Sequence, residues 1–257
     1  STVLKKLNNN HKFFICEMGA YKRGEIRTAC NIVRPKIGIL TGINEQHLEL
    51  FVSEENIIKG KYELIESLPE DGVAFFNAKN EYCLELYQKT RIRKFLYGET
   101  ATSFGQENIL GAQAVARELG VNVKVGPQPV FLPLKRGING LNIIDSTYSA
   151  NPTGVIAHLE YLKSLPGKKI IVMPCLIELG SASKEVHRRI GRKIAEVCDL
   201  AIITTKDRFA EIKEVAGDKA IFMDNPSDIY KEIRNFCLPS EALAKEGKNK
   251  CVVLLES

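Results

Sequence analysis

Three residues of the chain have types and positions suited to handling a charged reaction centre: Glu17 in "EMGA", His47 in "GINEQHLELF" and Lys61 in "NIIKGKYELI". A carboxylate and an imidazole at adjacent strand ends can share a divalent cation, and Mg²⁺ typically takes oxygen ligands together with substrate phosphates. Lys61 is the odd member, because an ammonium facing that cation would be repelled by it. Helical spacing nevertheless puts Lys61 on the face of Asn56, Ile57, Leu64 and Ile65, which should turn inward. Carbamylation would convert its amine into a carboxylate-like ligand. The alternative is an amphipathic lysine whose stem packs while its head reaches water, and periodicity leaves both open.

The elements that must position these residues alternate along the chain. The segments "KFFICEMGA", "KIGILTGI", "GVAFFNA" and "IRKFLYG" read as strands, with helices expected over Glu54–Leu68, Glu81–Lys89 and Gln106–Leu119. Ser53 is an N-cap for the first helix, and Gly120 is a C-cap signal for the last. A second series starts at "GLNIIDSTYSANP" and continues through strands "KKIIVMP", "LAIITT", "AIFMD" and "KCVVLLES". Between them lie helices at Thr153–Ser164, Ser183–Val197, Arg208–Ala216 and Pro226–Phe236. Such alternation implies parallel α/β sheets covered on both faces. The Gly- and Pro-containing stretch from Gly120 to Ile138 is the natural break, which gives two α/β domains, 1–130 and 131–257. In such sheets ligands gather at the carboxyl ends of strands. Glu17, His47 and Asn77 occupy those places in the first domain, Asp145 and Glu178 in the second. Any one alone reads equally as a cap or a satisfied polar residue.

Composition narrows the class. The 257 residues are 44% hydrophobic and 26% charged, with a net charge of +5 spread among acids. That balance argues against a nucleic-acid patch, and no apolar run reaches the roughly 18 residues of a membrane span. Seven cysteines without a CxxC pair, several of them in apolar segments, read as reduced core residues in a cytoplasmic protein. The first residues, "STVLKKLNNN", carry neither an initiator methionine nor a signal-peptide core, so the chain is expected to begin part-way through a longer protein.

Five ordered segments carry a family resemblance: "EMGAYKRGEI", "IGILTGINEQHLELF", "SEENIIKGKYELI", "IIDSTYSANP" and "MPCLIELGSASKEVHRRIG". In order and context they resemble the Mur ligases. The resemblance implies a P-loop-NTPase-like central domain, incomplete here, followed by a Rossmann-like C-terminal domain. It implies ATP and Mg²⁺ as cofactors and a monomer. It also implies a UDP-N-acetylmuramoyl-peptide and D-alanyl-D-alanine as substrates, joined as an amide through an acyl phosphate. Matched motif by motif, Glu17 and His47 resemble the Mg²⁺ ligands and Lys61 the carbamylated lysine. Asn108, Asp145, Tyr148 and Asn151 resemble nucleotide contacts. Glu178, Leu179, Gly180 and His187 match a motif near the incoming amine, with a buried helical role as the alternative for His187.

The chain also departs from the pattern. It contains no GxxxxGK[ST] run, which in the family precedes "EMGA". Of the adenine-contacting "HNxxN" motif only Asn108 is kept, in "ENILG", and the usual acid pair is Asp145–Ser146. The arginine expected before that strand has no clear counterpart, since Lys135 and Arg136 look off register. By itself the chain is therefore expected not to turn over ATP. A related ligase of another substrate, such as a pseudomurein type, and a non-catalytic Mur-like binding module are the competing readings.

Overall fold

A computed structural model of the protein describes residues 4–102, 105–121, 123, 133–137, 141–147, 150–237 and 251–257. The first half opens with α1 (Glu25–Val33), β1 (Ile37–Leu40), the single turn α2 (Leu48–Phe51) and α3 (Glu54–Glu66). It continues with β2 (Val73–Asn77), α4 (Glu81–Lys89), β3 (Arg93–Tyr97) and α5 (Gln106–Glu118). The three strands form a parallel sheet in the order β1-β2-β3. Central β2 is buried along its whole length, as its continuous apolar run requires. Helix α3 begins as the sequence indicates: Ser53 Oγ accepts the Asn56 backbone N–H at 3.2 Å.

The second half comprises β4 (Leu134–Arg136), β5 (Asn142–Ser146), α6 (Pro152–Ser164), β6 (Lys168–Met173) and α7 (Ser183–Val197). Then follow β7 (Leu200–Ile203), α8 (Phe209–Ala216), β8 (Ala220–Phe222), α9 (Pro226–Cys237) and β9 (Cys251–Glu256). The sheet order is β4-β5-β9-β6-β7-β8, parallel except for the antiparallel edge strand β4. The last strand is thus inserted between β5 and β6, and the connection from β8 to β9 runs back against the direction of the β5-to-β6, β6-to-β7 and β7-to-β8 crossovers. This is the strand-order reversal at which open α/β sheets form crevices. Ile170, Ile171, Met173, Ile190, Ile194 and Ile202 are fully buried around it.

Three expectations need correction. The segment "KFFICEMGA" forms no strand: residues 13–20 are irregular, and Phe13, Phe14 and Ile15 are exposed. A strand requires a ladder partner, and β1 pairs only with β2 among the described residues. The presumed linker contains β4, whose three residues are too few to show a strand period. Cys237 and Cys251 are joined as a disulfide, with Cα atoms 5.8 Å apart, so the reading of uniformly reduced cysteines fails for that pair. The five others are free.

Candidate active site

The loop after β1 is held by Asn80, which lies between β2 and α4. That side chain caps α4 by accepting the Cys83 N–H at 3.1 Å, and it also grips the Ile43 backbone. Its amide donates to the Ile43 carbonyl at 2.9 Å and its oxygen accepts the Ile43 N–H at 3.3 Å. Asn77 does similar work nearby, donating to the Thr41 carbonyl at 2.8 Å, so its role is structural. The loop held this way delivers residues 44–49 to the second half of the molecule. Sequence reasoning missed Asn80, although an asparagine immediately before Glu81 is a readable helix cap.

Residues 44–49 make four contacts across the seam between the two halves. Asn44 meets Asn151 at 3.4 Å, and Arg189 pairs with Glu45 at 3.2 Å. The His47 Nδ1 bonds the Glu178 carboxylate, and the Glu49 backbone N–H donates to the Glu178 carbonyl at 3.1 Å. Beside them lies a cavity of about 350 Å³ lined by Ile43, Glu45 and Tyr82 on one side and Thr153, Ile156 and Arg189 on the other.

Segments carrying Glu17, His47 and Lys61 come together. Tyr21, four residues after Glu17, lies edge-on to the His47 ring with centroids 4.7 Å apart. Phe51, four residues after His47, packs on Gly60 so closely that a Cβ there would lie 2.7 Å from its ring. Gly60 precedes Lys61 on α3. The loop holding Glu17 is anchored through α1, whose Gly24 and Arg27 N–H groups donate to the buried Glu63 carboxylate of α3 at 2.7 and 3.1 Å. The Glu17, His47 and Lys61 side chains share no hydrogen bond or ion pair with one another among the described residues.

Each donor is in a different condition. Glu17 is exposed. His47 has its Nδ1 engaged by Glu178 and no partner at Nε2 among the described residues. Lys61 is half-buried and has no hydrogen bond or ion pair there, and burial pulls its ammonium pKa below the ordinary value. No group of three His, Cys, Asp or Glu suited to a metal ion occurs among the described residues. The donor set fits a hard cation in its chemistry only if Lys61 supplies a second anionic ligand beside Glu17.

On the second half, Asp145 is exposed at the end of β5. Its oxygens accept from the Thr147 hydroxyl at 2.7 Å and from Lys135 Nζ at 3.0 Å, and these bonds hold its carboxyl pKa below the usual range. Lys135 sits on β4 opposite Ile143, two residues out of direct register with Asp145 but on the same face of the sheet. Antiparallel pairing of β4 with β5 thus brings the long Lys135 side chain to the acid without placing the two residues in direct register. Asn151 caps α6 by accepting the Gly154 N–H at 2.9 Å while touching Asn44. Asn108 is exposed in the first turn of α5, and Tyr148 lies outside the described residues.

His187 is completely buried. It accepts the Leu176 N–H at Nε2 and donates from Nδ1 to the Ser183 carbonyl, at 3.0 and 2.6 Å. Both ring nitrogens are used, and desolvation lowers its pKa. It is a neutral structural strut, as the helical alternative held. Among the described residues no helix is long and apolar enough to cross a membrane.

Comparison with known proteins matches residues 1–133 to the Mur ligase middle domain and residues 132–253 to the Mur ligase, glutamate ligase domain. The UDP-N-acetylmuramoyl-tripeptide–D-alanyl-D-alanine ligase of Haemophilus influenzae is 26% identical over 98% of this chain and 63% of its own length. The Escherichia coli enzyme of the same name is also 26% identical, over 74% of this chain and 52% of its own length. The chain thus spans half to two-thirds of the length of these relatives. Among solved structures, MurF from Acinetobacter baumannii superposes with a TM-score of 0.83 at 21% identity, covering 100% of this chain and 64% of that one. MurF ligase from Thermotoga maritima, in complex with ADP, gives 0.75 at 23% identity, covering 93% of this chain and 62% of that one.

Proposed function

Because the chain belongs to the Mur ligase family, we propose that it is the middle and C-terminal part of an ATP-dependent amide ligase of cell-wall precursor synthesis. The substrates on this reading are a UDP-N-acetylmuramoyl-tripeptide and D-alanyl-D-alanine, the pair named for relatives that match along most of the chain. The peptide carboxylate attacks the γ-phosphoryl group of ATP, releasing ADP and forming an acyl phosphate. The dipeptide amine then adds to the acyl carbon, and phosphate leaves as the amide forms. Domain units of 1–130 and 131–257, a cytoplasmic location and a monomeric state belong to the same reading.

The observation that carries it is the seam. Residues 44–49 of one half meet Asn151, Glu178 and Arg189 of the other, which brings the candidate cation donor His47 and the candidate nucleotide contact Asn151 to one boundary. In this reading Glu17, His47 and Lys61 hold Mg²⁺, which neutralises phosphate charge when bound. Lys61 contributes as a carbamate. Burial raises the share of its neutral amine, the form that adds to CO₂ with loss of a proton. Asp145, kept ionised by Thr147 and Lys135, offers acceptor oxygens suited to ribose hydroxyls. Asn108, Tyr148 and Asn151 complete the nucleotide contacts. This sequence holds no GxxxxGK[ST] phosphate cradle, so on this reading these 257 residues by themselves release no ADP.

The test is ADP release by the full-length protein. The reading expects release that requires both the UDP-linked tripeptide and D-alanyl-D-alanine, with amide product in equal amount. Release with a different acceptor only would move the protein to another ligase of the family. No release with any acceptor, together with intact nucleotide binding, would make it a binding module.

A further inference from the structure

Among the described residues, His47 and Glu178 are two of the four non-glycine residues with positive φ, at +62° and +61°. A left-handed backbone costs such residues about 1–2 kcal/mol, and it persists only where surrounding contacts impose it. Here the two strained residues face each other across the seam. The Glu178 carboxylate takes the His47 Nδ1, and its carbonyl takes the Glu49 N–H at 3.1 Å. Gly180, at φ +50°, brings the same loop so close that a Cβ on it would lie 3.3 Å from Glu49 Cα. One loop of the second half therefore holds His47 by side chain, backbone and close packing together. Tyr21 closes in on the ring edge-on from the first half.

The chemistry of this contact is directional. An ionised carboxylate only accepts, so the proton of a neutral His47 ring must sit on Nδ1, which leaves the lone pair on Nε2. Histidines that bind metals are commonly fixed this way, by a carboxylate on the other ring nitrogen that sets tautomer and orientation. What is unusual here is that this carboxylate comes from the other half of the molecule.

We propose that Glu178 is a positioning residue for the cation site, fixing the His47 ring and tautomer so that Nε2 is offered as a donor only while the two halves are docked. The inference rests on the reading of His47 as a cation donor. It adds that seam closure and cation binding are one coupled event. Reciprocity then requires the cation to tighten the seam. The Arg189–Glu45 pair holds the same stretch without touching His47, which makes it the natural control.

The experiment uses the full-length protein with ¹⁵N-labelled histidine, at a pH where imidazole is neutral, and Mn²⁺ as the probe ion followed by electron paramagnetic resonance. Wild type should show His47 as the Nδ1–H tautomer. Glu178→Ala should lose that tautomer and weaken Mn²⁺ binding at least about tenfold. Glu178→Gln, nearly isosteric and still able to accept at its amide oxygen, should keep the tautomer and recover most of the affinity. Arg189→Ala should retain both. A persistent Nδ1–H tautomer in Glu178→Ala would overturn the proposal. So would unchanged Mn²⁺ affinity in Glu178→Ala alongside its loss in His47→Ala. If His47→Ala binds Mn²⁺ like wild type, the cation role of His47 fails and the inference goes with it, a result read separately from the tautomer.

Discussion

The two sheets differ in how completely they are enclosed. In the six-stranded sheet β7 is buried along its whole length, and Ile170, Ile171 and Ile202 have no exposed surface. In the three-stranded sheet β2 reaches that state, while β1 alternates between buried and partly exposed residues and β3 is buried only at Tyr97. In the same half, ahead of α1, Phe13, Phe14 and Ile15 remain 51%, 38% and 94% exposed. Buried apolar surface is the main source of stability, so the second half carries its own and the first draws on less. The candidate cation donors lie on the less enclosed half, and the strongest constraint on one of them, Glu178, is lent by the other. On the proposed reading the chemistry sits where the fold is less complete, and the well-packed half supplies the fixed reference.

That contrast can be broken most forcefully in the second core. Ile194→Ala, at a fully buried site on α7, should cost about 2–5 kcal/mol in denaturant unfolding. If the halves differ as described, the first half should melt earlier in wild type, and this variant should narrow or reverse the gap. A single unchanged transition would contradict the contrast.

Gly60→Ala probes the other side with a smaller expected loss. The added methyl meets the Phe51 ring and must push α2 away from α3, costing about 1–3 kcal/mol. Because Phe51 follows His47 by one turn, histidine NMR shifts of His47 should move as well. A neutral effect on both would show that α2 floats freely.

Acidity should reach the second half through His187. Its folded-state pKa is lowered by burial, so the neutral ring is the stable form in the fold. The unfolded chain takes up the proton first, at about pH 6.5. This contribution to stability is complete above that value and declines as pH falls from it toward the lower folded-state pKa. His187→Gln should flatten the dependence over that window, read from denaturant midpoints at several pH values. The smallest effect belongs to Arg189→Ala. Its pair with Glu45 is partly exposed, so the loss should stay below about 1 kcal/mol and shrink further in high salt.

Much of the fold was legible because its strands are short apolar runs flanked by capped helices. Ser53 and Gly120 mark helix ends where the sequence put them. What escaped depends on partners that lie far away in sequence. "KFFICEMGA" has strand composition but no neighbouring edge among the described residues, and β4 is a strand only because β5 lies beside it. Glu17, His47, Lys61 and Asp145 could be proposed as site residues from type and position. The contact between His47 and Glu178, 131 residues apart, could not, and neither could the link from Lys135 to Asp145. Local periodicity carries no information about such pairings.

The central claim is that Lys61 acts as an anionic cation ligand rather than as a surface lysine. Turnover by Lys61→Arg and Lys61→Glu variants of the full-length protein, compared at matched folding stability, tests it most directly. Arginine keeps charge and length but cannot be carbamylated, so its activity should collapse. Glutamate restores the sign of the charge beside the cation despite its shorter reach and should retain more. A lysine whose head merely reaches water gives the opposite order, and near-normal turnover in Lys61→Arg would contradict the account.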